Sequence, residues 1–440
     1  DRPGGPVEPL GAPSERLPPA PPARHGRRRR VTWTVVDQAL SSLTNFGIGV
    51  VAARQAGALE FGAFSIAFTT YLFVLGLSRS VCTDPLVVRF SVEGTPGRRE
   101  ATKASIGAAL TLSVPVAVVC ALVALAFHGA LRVSMLALAV SIPGLLVQDS
   151  VRFAFFAMGR PARAAANDLL WAVGQVAAFA ALLLLTDPSP AVLLSAWGLA
   201  ATMAAVAGPF QAGLCPSPQR AVQWFRDQAD LCGRYLLDFF ALAGQVHLIL
   251  YGLGIVAGLR AFGAFRAAQL LLGPLNTLFF AALSTAVPEG ARVRAETDGS
   301  LYRMIRNLAV LLPVLALAWV GVLILLPDGV GTALLGDSWP GARDLLVPVG
   351  LAIAVTGVTA AADSGLRALA AAARGLRARL ALLPLVAIGG LGGAAVGGAA
   401  GCAVGLFVAN AIGAGIFWFQ FSKALHEDES PLHPAAPVPW

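Results

Sequence analysis

The chain is a near-continuous series of apolar segments, each about as long as a bilayer is thick. A helix of about 20 apolar residues crosses the hydrocarbon core of a membrane. On that rule the sequence predicts twelve spans, at residues of roughly 32–53, 63–90, 104–127, 133–157, 164–186, 190–210, 233–257, 262–288, 304–326, 343–366, 378–396 and 401–422. The predicted fold class is therefore an all-α polytopic membrane protein.

The boundary between the last two spans depends on glycine. Residues 378–422 form one apolar stretch that is too long for a single crossing, and Gly397, Gly398 and Gly401 are the predicted turn. Glycine also recurs every fourth residue from Gly389 to Gly405. This pattern favours close packing of helices rather than ligand binding.

The second half of the chain is a diverged copy of the first. Phe61-Gly62-Ala63-Phe64 recurs 201 positions later as Phe262-Gly263-Ala264-Phe265, and Asp37 and Asp238 are related by the same offset. Repeated halves in membrane transporters face each other across a central pathway. We therefore expect two repeat-related six-helix lobes around a central cavity, at residues 32–210 and 233–422, joined by an amphipathic linker at 211–232 that lies in the inner membrane interface.

The basic residues predict the orientation of the chain. A Pro- and Arg-rich tail at residues 1–31 is expected to be disordered and cytoplasmic. A second tail at 423–440 is expected to be cytoplasmic as well. With both ends inside, the tails and inner connections hold 23 of the 32 Lys and Arg residues, whereas outer connections hold four. This is the positive-inside asymmetry of a plasma-membrane protein, and it explains the net charge of +8 without nucleic acid.

Several classes of function find no support in the sequence. The five cysteines have no paired or metal-ligand spacing, so neither a disulfide framework nor a metal site is predicted. No nucleotide-binding motif is present, and no cofactor is implied. The outer connections are too short for a catalytic domain, which argues against an enzyme.

A resemblance to a known family rests on the segments Asp37–Phe46, Glu60–Phe64, Leu75–Arg79 and Asp84–Leu86. In these segments the chain resembles members of the multidrug/oligosaccharidyl-lipid/polysaccharide (MOP) exporter superfamily. Within that superfamily it is most similar to the polysaccharide-biosynthesis branch, which contains O-antigen-type flippases. The resemblance covers about residues 31–422. It implies two six-helix bundles arranged as a V around a cavity, and translocation of a lipid-linked sugar, with no catalytic residues to carry over.

Charged residues inside the spans are the candidate functional groups, because burying them in a bilayer is costly. Arg79 lies deep in the second span and is a candidate for binding an anionic substrate from the cavity. The alternatives are an ion pair with Asp84, five residues later, or extension of Arg79 to the inner surface. Arg266, near the outer end of the eighth span, could meet a diphosphate, since its planar guanidinium suits phosphate oxygens, or extend outward. Asn45 is a further candidate for lining the sugar site, and its alternative role is an interhelical hydrogen bond.

Two aspartate–arginine pairs occupy related positions in the two halves. Asp149 and Arg152 are three residues apart, and Asp363 and Arg367 are four apart. Both spacings allow pairing within one helix. They predict either structural ion pairs or gates that break and re-form as the lobes move.

Three other residues are candidates for ion coupling. Asp37 and Asp238 each lie near the inner end of the first helix of a lobe, where a carboxylate can bind a cation or a proton. They can equally stabilise the helix or contact lipid headgroups. His247 is either proton-linked or a hydrogen-bonded packing residue.

The sequence thus predicts a non-enzymatic flippase for a lipid-linked (polyprenyl-diphosphate) oligosaccharide or polysaccharide precursor, working by alternating access. Its expected partners are that substrate, membrane lipids, a coupling H⁺ or Na⁺, and polysaccharide assembly enzymes. The alternatives are a drug or cation antiporter of the same architecture, and a non-transporting membrane partner of a polysaccharide assembly complex.

Overall fold

The computed structural model describes residues 24–92, 95–296 and 300–428, and throughout these residues the regular structure is helical. The N-terminal lobe contains α1 (Arg24–Arg54), α2 (Ala58–Ser78), α3 (Asp84–Phe90), α4 (Arg98–Leu125), α5 (Gly129–Ala157), α6 (Pro161–Leu185) and α7 (Pro190–Ala212). A five-residue π-helical segment, Arg79–Thr83, joins α2 to α3, so the two form one continuous pass.

The C-terminal lobe follows a short linker, which contains a 3₁₀ turn (Pro218–Arg220) and α8 (Ala221–Asp227). The lobe contains α9 (Ala229–Phe239), α10 (Gln245–Leu271), α11 (Gly273–Glu296), α12 (Ser300–Ile324), α13 (Asp328–Leu335), α14 (Trp339–Ala368) and α15 (Ala372–Asp428). A second π-helical segment, Phe240–Gly244, joins α9 to α10.

Glycine residues interrupt two of the helices, and with these breaks the number of membrane passes equals the predicted twelve. Ten helical stretches within the described residues are long and apolar enough to cross a membrane. Gly258, with φ +84°, interrupts α10, so that its second half and α11 form a separate pass. Gly397 and Gly398 interrupt α15. The fold is therefore that of a twelve-pass membrane protein, which confirms the predicted fold class.

The turn in α15 folds its two halves into a tight hairpin. A Cβ on Gly393 would lie 2.1 Å from the carbonyl oxygen of Gly401, and one on Gly405 would lie 1.8 Å from that of Gly389. Any larger residue would separate the two halves, since the backbones themselves are in contact. The glycine pattern thus serves helix packing, as predicted.

The even number of passes places both ends of the described chain on one side of the bundle, which we call the basic face. It holds the starts of α1, α4, α6 and α12 and the linker. The other side, the opposite face, holds the turns at 55–57, 126–128, 186–189, 258, 325–338 and 397–398. α1 begins at Arg24, so residues 24–31 of the predicted tail are helical, and α15 extends to Asp428. Residues 1–23 and 429–440 of the predicted tails lie outside the described residues.

The linker is held against the basic face of the N-terminal lobe. The indole nitrogen of the buried Trp224 donates a hydrogen bond to the carbonyl oxygen of Val81, inside the π-helical segment, at 3.0 Å. Arg89 forms an ion pair with Asp230 at 2.5 Å. A π-helical turn leaves carbonyl groups outside the regular α-helical pattern, and the linker supplies a donor for one of them.

Candidate functional site: a cavity between the lobes and a buried charge network

A cavity of about 710 Å³ lies between the two lobes. α1 and α2 line it from the N-terminal lobe, and α10, α11 and α14 line it from the C-terminal lobe. Its walls are mostly apolar and include several phenylalanines, and its polar side chains come from both lobes: Ser42, Asn45, Ser65, Gln269, Asn276 and Thr277. A mostly apolar cavity with a few polar groups is the usual form of a ligand site.

Arg266 is the one charged side chain among the described residues that line this cavity. Its Nη1 donates a hydrogen bond to Oε1 of Gln269 at 2.8 Å. Across the described residues, no carboxylate comes within 4.0 Å of its guanidinium. The cavity therefore presents a positive charge that the surrounding protein leaves uncompensated.

Asn45, from the other lobe, lines the same cavity as Arg266. Its Oδ1 is buried and has no hydrogen-bond partner within the described residues. A buried carbonyl oxygen without a donor is costly, so a ligand with hydroxyl or amide donors would satisfy it. Two of the three predicted substrate-binding residues, Asn45 and Arg266, are thus brought to one cavity.

The third predicted substrate-binding residue, Arg79, lies outside that cavity and is paired. Its Nε and Nη2 donate to the two carboxylate oxygens of Asp149 on α5, at 2.9 and 2.6 Å, and its guanidinium lies 5.0 Å from the ring centre of Phe153. The predicted alternative partner, Asp84, does not take this role. Asp149 is the better partner because its side chain is only 8% exposed and requires a cation, whereas Asp84 is partly exposed.

The prediction that Asp149 and Arg152 form an ion pair with each other is wrong. Arg152 instead reaches α1 and α6, where its Nε donates to Oδ2 of Asp37 at 2.7 Å and lies 3.3 Å from Oδ2 of Asp168. Residues three apart on a helix differ by about 60° in direction. Asp149 therefore faces Arg79 in the π-helical segment after α2, and Arg152 faces the interior of the lobe.

Asp168 is a member of this network that the sequence reasoning missed. Its side chain is 1% exposed, and its Oδ1 accepts a hydrogen bond from Nε2 of Gln148 at 2.7 Å. The sequence contained the evidence for it, because Asn167 and Asp168 lie about one turn inside the predicted span 164–186. The same rule that selected Asp37, a carboxylate inside a span, would have found it.

The repeat-related aspartates Asp37 and Asp238 occupy different environments. Asp37 is fully buried and bound to Arg152, whereas Asp238 is exposed. His247 lies among aromatic rings, and the centre of its ring is 5.1 Å from that of Phe73 on α2. Its Nδ1 is 2.8 Å from the carbonyl oxygen of Ala243. These contacts match the packing interpretation of His247.

The pair in the C-terminal lobe is present as predicted. Arg367 lies 2.9 Å from Asp363, and Arg379 on α15 lies 3.1 Å from the same carboxylate. The side chain of Arg367 is 57% exposed. This cluster lies at the basic face, and its exposure contrasts with the buried network of the N-terminal lobe.

The described chain superposes over most of its length on solved membrane transporters. The lipid II flippase MurJ, in an inward closed conformation, matches with a TM-score of 0.69 and 10% identity over 90% of each chain. An inward-facing multidrug resistance MATE transporter of the MOP superfamily matches with a TM-score of 0.64 and 11% identity, over 91% of this chain and 98% of the transporter. This chain has the fold of MOP transporters.

The outward-facing form of a MATE transporter of the same superfamily matches with a TM-score of 0.54 and 11% identity, over 92% of this chain and 97% of that one. Neither a protein-family model nor a curated protein matches the sequence. At this identity, the likeness concerns the MOP fold: two six-helix lobes around a central cavity. It agrees with the fold that the sequence resemblance implied.

Proposed function

We propose that this protein is a flippase that moves a lipid-linked saccharide, carried on a polyprenyl diphosphate, by alternating access of its two lobes. The observation that carries this proposal is Arg266, a cation in the central cavity that no described carboxylate neutralises. An arginine within a membrane costs at least about 2.5–3.5 kcal/mol on insertion scales. A diphosphate would compensate that charge, and its oxygens match the planar fork of guanidinium donors.

The remaining polar groups of the cavity suit the saccharide. Asn45, Gln269 and Asn276 carry amides that both donate and accept hydrogen bonds, as sugar hydroxyls require. MurJ is a lipid II flippase, and the shared fold supports a lipid-linked substrate here. In this proposal the protein is a non-enzymatic carrier, and polysaccharide assembly enzymes supply and consume its substrate.

The competing function is a drug or cation antiporter, which the cavity phenylalanines Phe46, Phe61, Phe64 and Phe68 would suit. A cationic substrate would also require a carboxylate, and none lines the cavity in the described part of the chain. Binding of a polyprenyl-diphosphate saccharide and of a lipophilic cation to the purified protein separates the two. Preference for the cation would favour the antiporter, and failure to bind either would favour a non-transporting partner of an assembly complex.

In the proposed orientation, the basic face is cytoplasmic and the protein lies in the plasma (inner) membrane. We expect cysteines introduced at the exposed positions Ser189 and Gly329 to react with a membrane-impermeant thiol reagent from outside intact cells. Cysteines at Gly97 and Ala373, which are exposed on the basic face, should react only after the membrane is permeabilised. The reverse pattern would overturn the orientation without affecting the fold.

Energy coupling is proposed to involve the buried network of the N-terminal lobe. Within the described residues, Asp37, Asp149 and Asp168 pair with only two guanidinium groups, those of Arg79 and Arg152. Oδ1 of Asp37 and Oδ2 of Asp168 have no hydrogen-bond partner within the described residues. The surplus carboxylate would bind a proton or Na⁺, because an uncompensated buried charge is unfavourable.

We therefore expect Asp37→Asn to make transport in reconstituted vesicles insensitive to an imposed proton or sodium gradient, while downhill exchange of substrate continues. Asp238→Asn is the matched control, since it changes the exposed repeat-related residue and should retain the response. If Asp37→Asn responds to the gradient as the parent does, Asp37 has a structural role only.

A further inference from the structure

The two copies of the repeated Phe-Gly-Ala-Phe motif meet each other near the opposite face. A Cβ on Gly62 would lie 2.0 Å from the carbonyl oxygen of Leu259, and one on Gly263 would lie 2.8 Å from that of Ala58. Residues 58 and 259 are related by the same offset of 201 positions as 62 and 263. The contact is therefore reciprocal, with each glycine seated on the equivalent carbonyl group of the other lobe.

The first motif copy also forms part of the wall of the central cavity. Phe61 and Phe64, which flank Gly62, line the cavity and are each only 2% exposed. The glycine crossing involves the start of α2 and lies beside the break in α10 at Gly258, so it is on the side of the cavity that is nearer the opposite face.

A short cap covers the same end of the molecule. α13 and the 3₁₀ turn Gly336–Ser338 belong to the C-terminal lobe but pack against the end of α1. Gly336, with φ +54°, lies so close to α1 that a Cβ would be 2.7 Å from the carbonyl oxygen of Arg54. The indole of Trp339 donates to Asp328 at 2.9 Å and holds the cap together.

We propose that the glycine crossing of the two motif copies is the gate that seals the cavity from the opposite face, with the cap as its outer cover. This inference rests on the proposed alternating access, since the cavity can open to that face only if α2 and α10 separate there. Two backbones in contact carry no interlocking side chains, so the helices can separate and close again without repacking. The repeat places the same small residue on both sides of the contact, which allows the lobes to part symmetrically.

The test introduces a methyl group into the crossing and measures access to the cavity. Asn45→Cys provides a label site in the cavity, in a background where the exposed Cys215 is replaced by serine and the buried cysteines remain. In sealed vesicles, a membrane-impermeant thiol reagent is added to one side at a time. Overpacking disfavours the closed crossing, so Gly62→Ala should raise the rate of labelling from the opposite face by about tenfold or more.

Gly321→Ala is the matched control, because a Cβ there meets nothing within 4 Å. It should label as the parent does. A second readout uses spin labels at the exposed residues Leu59 and Arg260, one from each lobe, whose separation should lengthen in Gly62→Ala. If Gly62→Ala does not accumulate, the milder Gly263→Ala replaces it.

If a glycine variant folds but shows unchanged labelling and an unchanged spin-label distance, the gate proposal is wrong. The crossing would then be a permanent contact about which the lobes turn. This measurement uses no substrate. A negative result here leaves the flippase proposal intact, and failure of the protein to transport a lipid-linked saccharide leaves the gate intact.

Discussion

Replacing Arg266 with alanine is expected to abolish transport of a polyprenyl-diphosphate saccharide while leaving folded protein in the membrane at its normal level. The substitution removes the one charge among the described residues that line the cavity, and it strands no carboxylate. Charge-assisted hydrogen bonds contribute about 1.5–3 kcal/mol, so binding should weaken by about 10- to 100-fold. Binding of the lipid-linked saccharide to purified protein, followed by exchange in reconstituted vesicles, measures both effects.

Two further variants make this result interpretable. Arg266→Lys keeps the charge but loses the planar fork, so it should retain partial binding. Arg260→Ala removes an exposed arginine near the break in α10 at Gly258, and it should leave transport unchanged. Full transport by the Arg266→Ala protein would remove the cavity cation from the mechanism, and with it the main argument for an anionic substrate.

Much of the fold could be predicted from the sequence, because the bilayer imposes a fixed length on every apolar helix. The break at Gly397 and Gly398 was visible as a surplus of apolar length together with glycine. The lobes were visible because the repeat survives in short motifs such as Phe61–Phe64. The close contact between the two motif copies was not predictable, because sequence similarity shows that two segments are related and not that they touch.

The charged residues of the candidate site could be recognised in the sequence, but the ion pairs that they form could not. Arg79, Asp149, Arg152 and Asp37 were each recognisable as charges in apolar spans. Helical spacing relates only residues on one helix, whereas these charges pair between α1, the π-helical segment Arg79–Thr83, α5 and α6. For the same reason, the sequence could not show that Arg79 is neutralised by Asp149, whereas Arg266 has no carboxylate partner within the described residues.

Replacing Arg152 with leucine should strongly destabilise the N-terminal lobe. The guanidinium lies between the carboxylates of Asp37 and Asp168, and all three side chains are at most 6% exposed. Removing it leaves two buried carboxylates facing each other without a cation, which typically costs about 3–5 kcal/mol. The melting temperature of the purified protein should fall on the order of 10 °C. Arg367→Leu is the matched control, because Arg367 is 57% exposed and its loss leaves Arg379 paired with Asp363, and exposed pairs contribute about 0–1 kcal/mol. Equal melting temperatures for the two variants would show that the buried network carries no more stability than a surface pair. A selective loss in Arg152→Leu would assign it the role of an internal counter-ion that holds α1, α5 and α6 together while the lobes move.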